Sequence, residues 1–190
     1  INFTGLDLSP LEGHEGIPSF SMIDVLPQHT FGSITTVDRL YIGYVGTITG
    51  RQKFAETDTS EFYFGMGQFN LEMGAAVIQR PGFYLIANGH MFLGRQQLRV
   101  ERTGVSFLNT SKNNDMAVTN GSWGAGVGLR TGVKIVGPFM VGAYGNWQYD
   151  LSPKDWYIKG TSEPYASGIL KTSMTGLNVG ITVSAKVILD

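Results

Sequence analysis

His90 is the side chain in this sequence best suited to chemistry, because a neutral imidazole can act as a general base in hydrolysis. It follows Asn88 by two residues in an alternating segment, so both side chains are predicted on one face of a strand. A hydrolytic site also needs a nucleophile and a carboxylate close by. The sequence around His90 contains no cluster of the His-x-Ser-Asn type. We therefore interpret His90 as a buried histidine that has hydrogen-bond partners.

The other two histidines, His14 and His29, lie in a segment that also contains Glu12, Glu15 and Asp24. Imidazole and carboxylate groups bind metal ions, but zinc ligands usually follow short and regular spacings. The spacing here is loose, and we interpret these side chains as solvated. We therefore expect no metal site, no cofactor and no catalytic residue.

Three glycines at alternate positions, Gly124, Gly126 and Gly128, superficially match a phosphate-binding loop. In such a loop the glycines are followed by a helix whose N-terminus completes the phosphate site. Residues typical of a strand follow here instead, so we assign no phosphate site to these glycines.

The composition favours a single domain with few charges. The chain has 190 residues, of which 15% are charged and 42% apolar, whereas soluble domains carry about 25% charged residues. A formal net charge of −1 provides no basic excess for binding nucleic acid. There is no cysteine, and no apolar run is long enough for a transmembrane helix. Because the chain starts at Ile1 without a methionine or a basic stretch, we expect a mature or trimmed form.

Strict alternation near the C-terminal end is the clearest structural signal. Every second residue from Leu177 to Leu189 is apolar, and most of the residues between them are small or polar. Successive side chains of a strand point to opposite faces, so the pattern predicts a strand with one apolar and one polar face.

The segment from Trp123 to Tyr149 contains the most convincing hairpin. Apolar residues alternate with glycines before a predicted tight turn at 136–138, and the alternation resumes after it. Centring this turn on Gly137 gives three apolar pairs: Ile135 with Phe139, Val133 with Val141, and Val127 with Trp147. The apolar faces of the two strands therefore coincide, as strand pairing requires.

Other strands are predicted from about Val37 onwards, with a turn at 79–82 and loops at 50–60, 94–97, 110–115 and 151–163. A weaker strand candidate covers 165–172, and the total is about eight strands. The lengths of these connections do not alternate between short and long, as an up-and-down barrel with both chain ends on one side requires. Either the turn at 94–97 or the strand at 165–172 is misassigned, or the N-terminal segment supplies strands.

The polar faces of these strands suggest which way each face points. They are rich in glycine, serine and threonine, which suit a crowded interior better than a strand surface in water. The mid-strand charges on these faces are of both signs, and we expect them to pair in the interior. The predicted interior polar cluster consists of Glu72, His90, Arg130, Lys134 and Lys186.

Trp123, Trp147 and Tyr149 lie on the apolar face, toward the open end of the predicted hairpin. Aromatic residues in such a position form a girdle where a barrel crosses the boundary between lipid and water. The alternative is that they are ordinary core aromatics.

We therefore predict an all-β fold, an antiparallel up-and-down transmembrane β-barrel of about eight strands over residues 31–190. Residues 1–30 hold three prolines and show no sustained periodicity, and we predict an N-terminal arm, strap or plug, or alternatively a disordered tail. Two other functions stay open. One is a soluble lipocalin-like or fatty-acid-binding-like barrel that encloses an apolar ligand. The other is a β-rich subunit of a larger assembly.

The segment Gly124–Tyr149 (GAGVGLRTGVKIVGPFMVGAYGNWQY) resembles the penultimate hairpins of small outer-membrane β-barrel proteins, the OmpA/OmpX-like group. Gly176–Leu189 resembles their closing strand. The resemblance implies an integral protein of the outer membrane of a Gram-negative cell envelope, with a structural, adhesive or accessory role. It implies no large open pore and no enzyme activity.

The partners implied by this resemblance are the lipid bilayer, lipopolysaccharide and other envelope proteins. Arg95, Arg99 and Arg102 form a short basic stretch that admits two interpretations. They either contact lipopolysaccharide phosphates at a rim of the barrel or belong to a charged loop.

Overall fold

The computed structural model describes residues 2–4, 26–56, 60–102, 116–152, 155–162, 164 and 173–185, which form strands and their connections. The strands are β1 (Asn2–Thr4), β2 (Leu26–Val37), β3 (Leu40–Glu56), β4 (Ser60–Arg80), β5 (Phe83–Arg102), β6 (Met116–Val136), β7 (Phe139–Asp150), β8 (Tyr157–Ile158) and β9 (Gly176–Ala185). In the described part of the chain, no helix is long and apolar enough to cross a membrane.

Eight antiparallel up-and-down strands form one sheet, which confirms the predicted all-β class and strand number. Their order is β5-β4-β3-β2-β1-β9-β7-β6, and β5 also pairs with β6. The two-residue β8 adds to β6 opposite Val118 and Thr119. Between β2 and β9 the sheet is joined only through the three residues of β1, so among the described residues it is not closed along the rest of these two strands.

The two-residue turns that join consecutive long strands lie at one end of the sheet, which we call the turn end. They occupy 38–39, 81–82 and 137–138, and each contains a residue with positive φ: Asp38, Gly82 and Gly137. Proline before Gly82 fixes φ at the preceding position, and glycine tolerates the left-handed conformation that follows. The other ends of these strands lie at the opposite end of the sheet, which we call the loop end and which includes Glu56, Ser60, Arg102, Met116 and Asp150.

Two predicted loops are wrong. The segment 50–60 is mostly strand, because β3 continues to Glu56 and β4 begins at Ser60, with a register shift between Thr49 and Gln52. The turn predicted at 94–97 does not exist, because β5 runs unbroken to Arg102. Gly94 leaves room for another side chain, since a Cβ there would collide with the sulfur of Met174.

Strand β2 begins well before the predicted start of the strands at Val37. Its larger apolar residues Phe31, Ile34 and Val37 are three positions apart, so it lacks the period of two by which strands are recognised. Of the predicted N-terminal arm, the structure describes 2–4 and 26–30, which are strand. The candidate strands at 105–108 and 165–172 lie outside the described residues.

The register predicted for the β6–β7 hairpin is confirmed over most of its length. Val133 pairs with Val141, and Val127 pairs with Trp147. Phe139 pairs with Val136 and not with the predicted Ile135, because a register shift between Lys134 and Val136 shortens the turn to two residues.

In the middle of this sheet, charged and amide side chains are buried and large apolar side chains are exposed. On β4 the side chain of Glu72 is 1% exposed, whereas its neighbour Leu71 is 58% exposed. Gln68 of β4 donates from Nε2 to Oε1 of Gln148 on β7 at 3.0 Å, although these strands are not neighbours in the sheet. The sheet therefore curves so that its polar faces meet. We call this buried side the inner face and the opposite side the outer face.

Candidate functional site

The inner face holds a buried ion pair between strands β4 and β6. Arg130 donates from Nη2 to Oε1 and Oε2 of Glu72, at 3.2 and 2.9 Å. The Tyr41 hydroxyl on β3 donates to Oε2 of the same carboxylate. All three side chains are buried. A charge in such a place requires a partner and further hydrogen bonds, and this cluster supplies both to Glu72.

His90 lies directly opposite Glu72 in the β4–β5 ladder and is also buried. Its Nδ1 has no hydrogen-bond partner among the described residues, and neither does the side-chain amide of Asn88. The set of partners expected for a buried histidine is therefore incomplete. These polar atoms sit close to the charged pair and give the middle of the interior a strongly polar character.

The remaining space in the interior is small. A cavity of about 20 Å³ lies among polar side chains of the inner face. That volume accommodates about one water molecule. It is lined by Gln28, Val45, Thr47, Gln68, Asn70, Glu72, His90, Arg130, Tyr144, Asn146, Gln148 and Asn178. The interior of the described part is therefore filled by side chains at this level and leaves no open channel there.

The inner-face glycines of β6 make space for large side chains of neighbouring strands. A Cβ on Gly126 would collide with the ring of His90, and one on Gly132 would collide with the ring of Tyr84. Gly124 and Gly128 similarly adjoin Phe92 and Asn146. The sequence-based inference that small residues on the polar face belong to a crowded interior agrees with this packing.

Toward the loop end, large apolar side chains join the buried polar ones in the interior. Trp156 and Met174, from the connection between β7 and β9, are fully buried there. Gln148 donates from Nε2 to the Met174 carbonyl at 2.6 Å, and Asn120 donates from Nδ2 to the Asp155 carbonyl at 2.8 Å. The sequence shows only a polar loop with aromatic residues here, so it gives no sign that this connection fills the interior.

The outer face carries a continuous apolar band. On each long strand its side chains start near the turn end and stop before the loop end. Exposed members include Leu40, Ile42, Ile48, Phe69, Leu71, Met73, Val77, Met91, Leu93, Val127, Leu129, Val133, Phe139, Leu177, Ile181 and Val183. An apolar surface of this extent is rarely exposed by soluble monomers.

The three predicted interface aromatics lie on this outer face. Trp123, Trp147 and Tyr149 are all exposed, toward the loop-end limit of the band. Val127 and Ala125 are the strand partners of Trp147 and Tyr149, so both rings stand beside apolar neighbours.

The structure brings together three of the five residues of the predicted interior cluster, namely Glu72, His90 and Arg130. Lys134 is exposed near the turn end, where its backbone N–H donates to the Gly82 carbonyl at 2.8 Å. Lys186 lies outside the described residues. The described part of the chain contains no group of three or more histidine, aspartate or glutamate side chains placed to bind a metal ion.

Beyond the apolar band, the loop-end extensions of β3, β4 and β5 carry ion pairs. Arg51 and Arg99 both contact the carboxylate of Glu101, Arg99 at 3.0 Å through Nε. Lys53 donates from Nζ to Oε1 of Glu61 at 2.8 Å. This hydrogen bond, and a second one from the Tyr63 hydroxyl, hold the pKa of Glu61 below its ordinary value.

The sequence singled out Arg95 and Arg99 but missed Arg51, which joins them only through strand pairing.

No protein-family model, curated protein sequence or solved structure matches this chain.

Proposed function

We propose that this protein is an integral outer-membrane β-barrel with a structural, adhesive or accessory role, no enzyme activity and no large open pore. The observation that carries the proposal is the reversed burial in the middle of its strands, with charged and amide side chains inside and large apolar side chains outside. In water this arrangement exposes apolar surface at a high free-energy cost, whereas in a bilayer the same surface meets hydrocarbon.

The height of the apolar band supports a membrane location. A transmembrane strand needs about 9–11 residues to cross the hydrocarbon core. Exposed apolar side chains extend from Phe69 to Ile78 on β4 and from Leu40 to Ile48 on β3. The longer strands continue beyond the band at the loop end, where their outer faces become polar or charged.

The proposal includes closure of the barrel along its whole length, which goes beyond the described pairing, because there β2 and β9 are joined only through β1. Each of the eight strands has a partner on both sides, although β1 contributes only three pairs on each side. Backbone groups inside a bilayer must be hydrogen-bonded within the protein, so a spanning sheet must close on itself. Tight turns at one end and longer connections at the other are typical of outer-membrane barrels.

The filled interior supports a role other than bulk transport. An eight-stranded barrel is just wide enough to be filled by side chains. Here the Glu72–Arg130 pair, His90 and the amides occupy the middle, and Trp156 occupies the loop end. A carrier of an apolar ligand would need an enclosed apolar pocket, whereas Val133, Ile181 and Val183 are exposed on the outer face.

The proposal is tested by folding the purified chain with and without lipid. We expect it to remain soluble only with detergent or in vesicles and to migrate on gels at different positions before and after heating. A monodisperse preparation free of detergent and partners would contradict it. Displacement of a fluorescent fatty acid in detergent-free buffer would instead favour the soluble carrier.

A further inference from the structure

A groove of about 410 Å³ lies on the outer face, immediately beyond the apolar band, on strands β3, β4 and β5. Gly65 and Gly67 form its floor, and their strand partners Gln97 and Arg95 line it from β5. A Cβ placed on Gly67 would have no protein atom within 4 Å. The sheet is therefore indented here, with open space above the backbone.

The walls of this groove are basic. Arg51, Arg95 and Arg99 all line it, and no carboxylate does. Glu101, which adjoins the groove, contacts Arg51 and Arg99, and its strand partner Glu61 contacts Lys53, which also contacts Glu56. With Arg95, these groups carry one positive charge in excess, and Arg95 is the groove arginine that contacts no carboxylate among the described residues. Arg95 donates from Nη2 to the Thr119 hydroxyl on β6 at 3.4 Å, on the side of β5 away from Gly65 and Gly67.

The position of the groove relative to the band indicates what it accommodates. On β4, Gly67 precedes the exposed Phe69 by two residues, and on β5, Arg95 follows the exposed Leu93 by two residues. A molecule with its anionic end among the arginines would place an attached hydrocarbon chain along these apolar side chains. Guanidinium groups bind phosphate with two parallel hydrogen bonds, and arginine near a membrane surface favours anionic lipids.

We propose that this groove is a binding site for the phosphate-bearing headgroup of an anionic membrane lipid, whose acyl chains cover the apolar band below it. The inference rests on the proposed membrane location and adds a specific lipid contact to it. Tyr63 completes the wall, because the Arg51 guanidinium lies 3.5 Å from the centre of its ring and is held toward the groove.

The test is native mass spectrometry of the full chain in a neutral detergent, titrated with phosphatidylglycerol, with phosphatidylcholine of the same acyl chains, or with inorganic phosphate. We expect one retained phosphatidylglycerol, bound more tightly than phosphatidylcholine. Arg95→Gln is expected to weaken the binding of phosphatidylglycerol about fivefold, which is the effect of removing one basic residue from an anionic surface. Gly67→Leu, which fills the groove without removing charge, is expected to weaken it to a similar degree.

Two matched control variants test whether the loss of lipid binding is specific to the groove. Arg80→Gln removes an exposed arginine at the turn end, and Gly89→Leu adds the same side chain on the outer face within the band. Both are expected to retain wild-type lipid affinity. Equal weakening by Arg80→Gln, no effect of Gly67→Leu, or competition by inorganic phosphate at the lipid concentration would overturn the proposal.

Insertion of the same variants into vesicles of phosphatidylcholine alone separates this inference from the proposed function. We expect Arg95→Gln and Gly67→Leu to insert as well as the wild type. Insertion without a preference for phosphatidylglycerol would remove the lipid site and leave the membrane barrel intact. Failure of the wild type to insert would overturn both.

Discussion

Arg130 on β6 binds both carboxylate oxygens of Glu72 on β4, across one intervening strand, in the middle of the sheet's inner face. Each of these side chains directly follows an apolar residue exposed on the outer face, with Leu71 before Glu72 and Leu129 before Arg130. Both pairs of neighbouring positions thus place a charged side chain on the inner face and an apolar side chain on the outer face.

Breaking this ion pair is expected to destabilise the fold strongly. Arg130→Met leaves the Glu72 carboxylate buried without a cation and is expected to cost about 3–5 kcal/mol. Replacing both residues, as Glu72→Gln with Arg130→Met, removes the unpaired charge and is expected to recover much of this loss. Unfolding by denaturant in lipid vesicles measures all three proteins. A loss below about 1 kcal/mol, the range of exposed pairs, would show that the pair is not buried in the folded protein.

Gly126 and Gly89 provide a matched test of which face is packed. They lie near each other on adjacent strands, Gly126 on the inner face opposite His90 and Gly89 on the outer face opposite Val127. A Cβ at Gly126 collides with His90 and with the Trp147 carbonyl, whereas at Gly89 its nearest atom is 3.8 Å away. Gly126→Ala is expected to lower the free energy of unfolding by about 1–3 kcal/mol, which is the usual effect of overpacking a core.

The same unfolding measurement should detect little change in Gly89→Ala. The opposite ranking of the two variants would mean that the faces have been assigned the wrong way round.

Alternation identifies strands only where the two faces differ in chemistry. Leu71 and Glu72 differ sharply, and β4, β6, β7 and β9 were recognised on that basis. Along β2, Phe31, Ile34 and Val37 break the period of two, and pairing with β3 holds the strand instead. The two wrongly predicted loops begin at Gly50 and Gly94, and glycine weakens a strand interior, but Gly94 lies within β5 and accommodates Met174.

The candidate sites were predictable to different degrees for a similar reason. That Glu72 and Arg130 both lie in the interior follows from their positions on polar faces, whereas the choice of Arg130 over Lys134 as the partner of Glu72 depends on the register of β4, β5 and β6. The basic groove needs the register of three strands, since Arg51 reaches Tyr63 from within a register shift. The burial of Trp156 depends on a long connection folding back into the interior, which no local pattern encodes.

A charge placed in the middle of the apolar band is expected to impair membrane folding. Met73 is exposed near the middle of the band on β4. Met73→Arg is expected to cost about 2–4 kcal/mol, the range for arginine at the bilayer midplane, whereas Val37→Arg at the turn end should cost about 0–1 kcal/mol. Folding titrations in phosphatidylcholine vesicles measure both. Equal costs at the two positions would argue against a lipid-facing band.

The ion pairs at the loop end are expected to respond to pH. The hydrogen bond from Lys53, followed in size by the one from Tyr63, lowers the pKa of Glu61. These stabilising contacts are therefore fully present at pH values above the ordinary pKa of a glutamate. They are lost as the pH falls through the lowered pKa of Glu61. Carboxyl NMR titration in detergent should place the Glu61 midpoint below 4.5, and Lys53→Met should raise it. An unchanged midpoint in Lys53→Met would exclude this hydrogen bond in solution.

The outward orientation of the apolar face is tested most directly by spin labels on consecutive residues of β4. The chain has no cysteine, so single cysteines can be introduced at 68–73 without background. In vesicles, labels at Phe69, Leu71 and Met73 should be accessible to oxygen, which dissolves in hydrocarbon, and protected from a water-soluble nickel complex. Labels at Gln68, Asn70 and Glu72 should be protected from both. Access of the nickel complex to the odd-numbered positions would contradict the account.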